Sequence, residues 1–94
     1  MLDEKSIVKL ADGISLYNGD GPSTKFYVFN TLTGDYFSVN AFGYHALARV
    51  DGSSTIAEIV DDCLRLFSVS RDVFLNDIIE LFETGVEKGI LAIA

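Results

Sequence analysis

Basic residues, histidine and cysteine are all scarce in this 94-residue chain, and each scarcity excludes a class of function. Seven Lys and Arg stand against fourteen Asp and Glu, giving a net charge of −7. A nucleic-acid reader needs the opposite balance, because it must neutralise phosphates. The single cysteine, Cys63, cannot form an internal disulfide. Together with the single histidine, His45, it does not supply the three or four ligands of a zinc site.

Long apolar runs are also missing. No stretch approaches the roughly 20 apolar residues of a membrane span. The N-terminus begins Met-Leu-Asp-Glu-Lys, which is acidic and lacks the apolar core of a signal peptide. One cysteine gives no reason to expect an oxidising compartment. These absences predict a cytoplasmic protein. The 49% of apolar residues and the length predict one globular domain over residues 1–94.

The acidic charge is concentrated in the second half of the chain. Residues 1–50 carry five acidic and four basic residues, whereas residues 51–94 carry nine acidic and three basic residues. The second half would therefore repel phosphates and attract a basic or amphipathic partner.

The first forty residues are predicted to form β structure. Apolar residues within 7–17 flank an Asp12-Gly13 dipeptide that suits a tight turn. Residues 18–23 contain the only proline and predict a hairpin loop. Residues 25–30 are aromatic and β-branched, and residues 35–39 return as a third strand. We expect a three-stranded antiparallel meander whose third strand has one neighbour and one open edge.

From Asn40 onward the pattern becomes helical. Asn40 is expected to cap a short helix that ends at Asp51-Gly52. Thr55 and Glu58 have capping-box spacing and predict a second helix to about residue 67. Residues 90–93 are an apolar tail that we expect to pack back on the body. The predicted fold class is α+β.

A third, longer helix is expected from Ser70 to about residue 88, where Gly89 ends it. Its core-facing stripe, about 100° wide at 100° per residue, comprises Phe74, Ile78, Leu81, Phe82 and Gly85.

This helix carries more apolar surface than one stripe requires. Leu75, Ile79 and Val86 widen the apolar arc to roughly 160°. Asp72 and Glu83 border that flank. One interpretation is an exposed recognition groove rimmed by carboxylates. The other is that the flank packs under the sheet or the C-terminal tail.

No catalytic constellation is present in the sequence. No serine or cysteine is accompanied by a histidine in a recognisable nucleophile motif. Cys63 falls in the apolar stripe of the second helix and is predicted to be a core residue. We therefore predict a binding module and not an enzyme, with no cofactor and no metal.

The ordered spacing of these residues resembles the PqqD-like family, named for the small protein of pyrroloquinoline-quinone biosynthesis. The similarity covers about residues 26–91. The residues that carry it are Tyr36, Phe37, Val39, Asn40, Gly43, Ala46, Leu47, Asp51, Gly52, Thr55, Glu58, Ile59, Leu64, Phe67, Val69, Phe74, Asp77, Ile78, Leu81, Phe82, Val86, Gly89, Ile90 and Leu91. Two departures leave the subfamily open: Val39 stands where leucine is usual, and the loop with Pro22 is longer.

The resemblance implies a winged helix-turn-helix-like fold, with a three-stranded antiparallel sheet followed by three helices. It also implies that the leader segment of a ribosomally made precursor peptide adds as a strand to the third strand, in the groove beside the third helix. The peptide-binding residues expected on this basis are Tyr36, Phe37, Ser38, Val39, Asp72, Leu75, Ile79, Glu83 and Val86. The two carboxylates among them would favour a leader that is basic, or at least not acidic.

The partner implied by the resemblance is a peptide-modifying enzyme. It is often a radical S-adenosylmethionine maturase, and cyclodehydratases and leader peptidases also use such domains. The domain would hold the leader and raise the effective concentration of the attached core peptide at that enzyme.

Two other functions stay open at the level of sequence. A structural subunit could use the same edge and groove to hold a partner protein. A winged-helix DNA-binding protein is disfavoured, because the third helix offers Arg71 and Lys88 against five carboxylates. The oligomeric state and the free edge of the sheet are not determined by the sequence.

Overall fold

The computed structural model describes residues 2–18 and 26–94. Its elements in chain order are β1 (Val8–Leu10), β2 (Ile14–Asn18), β3 (Phe26–Asn30), β4 (Tyr36–Val39), α1 (Ala41–Ala48), α2 (Ile56–Cys63), α3 (Arg71–Glu87) and β5 (Leu91–Ile93). The hairpin loop expected at residues 18–23 lies, beyond Asn18, outside the described residues. The strand expected after it is described from Phe26 onward.

The predicted meander is confirmed by the sheet β2-β3-β4, in which both pairings are antiparallel. Three helices follow, so the α+β class is confirmed as well. The third strand of the sequence analysis is β4, which lies at one side of the sheet.

The Asp12-Gly13 turn does not join two paired strands, which corrects the sequence interpretation. β1 leaves the sheet and pairs antiparallel with β5 in a separate two-stranded ribbon. The N–H of Ala11 donates to the Ile90 carbonyl at 2.9 Å, so the ribbon's bonding continues up to the turn itself. The apolar tail at residues 90–93 is thus largely a strand. A pairing between residues more than 80 positions apart leaves no local signal.

The predicted caps position α1 and α2. The Asn40 side chain accepts a hydrogen bond from the Gly43 N–H at 2.8 Å, so α1 begins directly after β4. Thr55 and Glu58 form the complete capping box of α2. That helix ends at Cys63, earlier than expected, because the next turn tightens: the Leu66 N–H donates to the Cys63 carbonyl three residues back.

The third helix begins after Ser70, whose backbone has N-cap geometry but whose side chain makes no capping bond. It ends before Gly89, which adopts a φ of +76° that suits glycine. Within the described residues, no helix has both the length and the apolar character needed to cross a membrane.

The core lies between the helices, the inner face of the sheet and the β1–β5 ribbon. Its fully buried larger side chains are Val8, Val28, Ile56, Ile59, Val60, Cys63, Ile78 and Phe82. Cys63 is completely buried, as predicted. Burial raises the pKa of its thiol, which disfavours the reactive thiolate.

Candidate functional site

The outer edge of β4 has no strand beside it among the described residues. β4 pairs with β3 on one side only. The Asn30 N–H donates to the Asp35 carbonyl at 2.8 Å, which makes that opposed pair a hydrogen-bonded one. Because such pairs alternate along an antiparallel ladder, Phe37 and Val39 bond to β3, whereas the N–H and C=O groups of Tyr36 and Ser38 point to the open edge. The edge therefore offers main-chain donors and acceptors to an added strand.

A groove runs between this edge and α3. The Lys88 Nζ lies 5.1 Å from the centroid of the Phe37 ring, within cation–π range, at one end of the groove. A pocket of about 190 Å³ occupies this part. It is lined by Val28, Phe37, Ser38, Val39, Leu47, Leu81, Thr84, Gly85, Lys88 and Ile90.

The groove continues past the end of β4 into a second, larger pocket of about 380 Å³. Leu81 lines both pockets, so the two form one continuous surface. The far pocket opens between the start of α1 and the first half of α3, where Phe42, Val69 and Val73 are exposed. Val73 is 59% exposed, and together with Phe42 and Val69 it gives this pocket an exposed apolar rim, a feature typical of interaction sites.

A glycine on α1 lets α3 approach closely enough to form this groove. A Cβ at Gly43 would stand 3.0 Å from Leu81 Cδ2 and 3.7 Å from Val39 Cβ. At Gly85, on α3 itself, a Cβ would stand 3.0 Å from Leu91 Cδ1 on β5. These contacts hold α3 against α1 on one side and β5 on the other.

The outer face of the sheet is covered by aromatic side chains. Tyr36 on β4 stands edge-on to Tyr27 with ring centroids 6.1 Å apart, and 5.9 Å from Phe29. Tyr17 on β2 extends the cluster. Cross-strand aromatic pairs of this kind contribute about 0.2–1 kcal/mol each, so they help to keep the short strand β4 in the sheet while its edge stays open.

The structure divides the residues expected from the sequence into two groups. Tyr36, Phe37, Ser38 and Val39 form the open strand, and three of them line the groove pocket. Leu75, Ile79 and Val86 do not line either pocket and instead pack, half-buried, against the core.

The two carboxylates expected at the groove rim also lie elsewhere. Glu83 accepts a hydrogen bond from the N–H of the buried Leu2 at 3.1 Å, so the N-terminal segment lies against that flank. Asp72 is exposed near the start of α3 and lines neither pocket. Of the two interpretations of the apolar flank, the structure supports core packing.

The helical wall of the groove is built by residues that the sequence analysis missed. Asp77, Leu81, Thr84 and Lys88 recur at spacings of three or four and share one flank of α3. Ile79 lies two residues from Leu81 and hence about 160° around the helix from it. Only one of the four wall residues is apolar, so a search for surplus hydrophobic residues selects the other flank. The helical spacing of the four wall residues was the only sequence signal that they share one flank.

The ion pairs of the described residues lie outside the groove. The guanidinium of Arg71 bonds to Asp61 at 2.8 Å, and this raises the Arg71 pKa. Arg49 bonds to Asp62 at 2.7 Å. In the part of the chain that the structure describes, no three His, Cys, Asp or Glu side chains come together as metal ligands. What the surface offers is a strand edge and an apolar groove, which suit binding.

Comparison with known proteins agrees with this geometry. The family model for coenzyme PQQ synthesis protein D (PqqD) matches residues 16–91. No curated protein matches the sequence significantly.

Two solved structures share the fold. One is described as TbiB1 in complex with the TbiA(beta) leader peptide; it has a TM-score of 0.71 and 23% identity, covering 88% of this chain and 93% of that one. The other is described as lasso peptide synthetase B1 complexed with the leader peptide; it has a TM-score of 0.71 and 20% identity, covering 90% of this chain and 96% of that one.

The family match begins in β2 and ends in β5. It thus takes in the open strand, the groove and all three helices, and the chain belongs to the PqqD family.

Proposed function

We propose that this protein is a non-catalytic binding module that captures the leader segment of a ribosomally made precursor peptide and presents the attached core peptide to a modifying enzyme. The observation that carries the proposal is the open edge of β4 lying directly beside an apolar groove. An edge alone would be a liability for aggregation, and a groove alone could take many ligands. Side by side they suit an extended peptide.

The main chain of the leader supplies affinity in this proposal. The leader adds to β4 as a fourth strand and bonds to the outward N–H and C=O groups of Tyr36 and Ser38. An antiparallel orientation is favoured, because it continues the pairing of the whole sheet and is slightly more stable per residue. Phe37 and Val39 contribute through their side chains, which face the groove.

The groove supplies selectivity through alternate leader side chains. Leu81 and Thr84 form its helical wall beside β4. One apolar leader residue beyond the end of β4 enters the pocket bordered by Phe42 and Val73. Leu75, Ile79 and Val86 support this wall from the core side and do not contact the leader; Asp72 and Glu83 stay outside the groove.

The two structural neighbours support the proposal by analogy. Both are described as complexes with leader peptides. The family resemblance, and not these two structures, implies the further partner: a peptide-modifying enzyme, such as a radical S-adenosylmethionine maturase, a cyclodehydratase or a leader peptidase. Holding the leader raises the local concentration of the core peptide at that enzyme. A cytoplasmic location, where precursor peptides are made, fits this role.

The test is a titration by fluorescence anisotropy of the full chain against labelled N-terminal segments of short peptides encoded near its gene. Saturable binding of one segment, lost when its apolar residues are replaced, supports leader capture. If the folded protein binds none of them, the second candidate gains ground: a subunit that holds a partner protein on the same edge and groove.

Binding to DNA is a poor match for the exposed surface of α3. Asp72, Asp77, Glu80 and Glu87 are all exposed there. A recognition helix with this charge would repel the phosphate backbone.

A further inference from the structure

The two ends of the groove carry charges of opposite sign. Among the described residues that line its two pockets, the charged ones are Asp77 and Lys88. Asp77 lies in the far pocket beside Asn40, where β4 ends. Lys88 lies in the near pocket over Phe37, where β4 begins.

Both charges are available to a ligand. Both side chains belong to exposed residues. Within the described part of the chain, the ion pairs join Arg49 to Asp62 and Arg71 to Asp61 and Glu4, and none includes either groove residue. The stretch between them is lined by uncharged residues, most of them apolar.

The helix sets the distance between the two charges. Asp77 lies on α3 and Lys88 is the C-cap residue of that helix, eleven positions later, which corresponds to about 16 Å along the helix axis. A strand rises about 3.3 Å per residue, so this distance equals about five residues of an added strand. Because such a leader runs antiparallel to β4, its N-terminal part meets Asp77 and its later part meets Lys88.

We infer that the groove selects leaders that carry a basic residue about five positions before an acidic one. This inference rests on the proposed function and names the substrate class of the same site. Asp77 and Lys88 are its specificity-determining residues. The preference for an acidic residue at Lys88 is informative, because the net charge of −7 would by itself favour basic groups everywhere.

The experiment selects peptides from a displayed library of random twelve-residue sequences without cysteine, using the full chain as bait. We expect the enriched peptides to share a Lys or Arg about five positions before an Asp or Glu. The bait carrying Asp77→Lys together with Lys88→Glu keeps the net charge, and we expect it to enrich the reversed order.

A matched control carries Lys5→Glu together with Glu80→Lys. Both residues are exposed and line neither pocket, and the net charge is again unchanged. This control should enrich the same order as the wild type. For one enriched peptide, Asp77→Asn or Lys88→Gln should each weaken binding about threefold at low salt, as for an exposed ion pair, and the difference should shrink in high salt.

The outcomes separate this inference from the proposed function. Enriched peptides without the charge order, or with the same order on the swapped bait, overturn the inference and leave leader binding standing. Enrichment of no peptide by any folded bait overturns both. If the double swap does not fold, the two neutral variants and their salt dependence decide the question.

Discussion

The two flanks of α3 face different surroundings. On one flank, Leu75, Ile79 and Val86 pack against the core, and the N-terminal segment lies against Glu83. On the other flank, Leu81 and Thr84 line an open groove whose opposite wall is β4. Surplus apolar residues therefore mark the covered flank of this helix, whereas the open flank carries both apolar and polar side chains.

The physical reason is that an open flank must tolerate water when no ligand is bound. Apolar side chains on a flank that another segment covers are removed from water, and their burial stabilises the fold. An open groove carries fewer apolar groups, here with Thr84 among them and Asp77 and Lys88 at its ends, and this composition disfavours aggregation. The predictions below test the division between the flanks, in order of decreasing effect on leader affinity.

The largest loss of leader affinity is expected from Ser38→Pro at the open edge of β4. Proline removes an N–H that points away from β3, so the sheet keeps its ladder while the leader loses a main-chain partner and meets the proline ring. We expect at least a tenfold weaker Kd, measured by anisotropy, with far-UV circular dichroism unchanged. Ser38→Ala, which keeps the N–H, should bind like the wild type. Equal binding by the proline variant would show that the leader does not add to β4.

A smaller loss of leader affinity is expected from Thr84→Trp in the helical wall of the groove. Thr84 is exposed and lines the pocket beside β4, so an indole there fills the space that leader side chains need. The two residues have similar helix propensity, so the helix itself should tolerate the change. We expect about tenfold weaker binding in the same titration. Glu80→Trp, exposed and outside the groove, is the control, and an equal loss there would contradict the assignment of the flanks.

The smallest effect on affinity is expected from Ile79→Asp on the covered flank. A carboxylate among core-packed side chains should lower the free energy of unfolding by about 2–3 kcal/mol, measured by urea denaturation. The Kd of the folded fraction should stay within about twofold of the wild type. A strong loss of binding with unchanged stability would place Ile79 in the leader site and reverse the comparison.

The buried thiol provides an independent measurement for the last two variants. Cys63 is inaccessible in the folded protein, and its raised pKa slows its reaction further. Its labelling by a disulfide reagent therefore reports opening of the core. Ile79→Asp should speed this reaction by about thirtyfold, which corresponds to about 2 kcal/mol, whereas Thr84→Trp should leave it unchanged. The opposite pattern would mean that the groove flank supports the core.

Local signals in the chain were sufficient for most of the elements. Asn40 and Thr55 were predicted as caps, and both make the expected side-chain bonds. The alternation around Tyr36 and the helical spacing after Ser70 predicted β4 and α3 within a residue or two. Such signals act over one turn or one strand, and they survive in the folded protein because they satisfy backbone groups close in sequence.

The site was predicted only in part for the same reason. The residues of β4 were assigned to the candidate site from their order and from the family resemblance, and their contact with a leader stays a prediction. The wall of the groove was assigned to Leu75, Ile79 and Val86, because hydrophobic spacing shows that a helix has two flanks but not which flank a distant segment covers. The N-terminal segment, whose Leu2 bonds to Glu83, lies on that flank and is remote in sequence from the middle of α3.

The α+β class, the acidic character of the helical half, the caps and the order of β2, β3, β4 and the three helices follow from the sequence alone, because composition and short-range spacing encode them directly. The pairing of β1 with β5, and the placement of Asp77 and Lys88 at the two ends of a groove, became visible only in the folded protein. Those features depend on contacts between residues far apart in the chain, where burial and backbone pairing compete over the whole molecule at once.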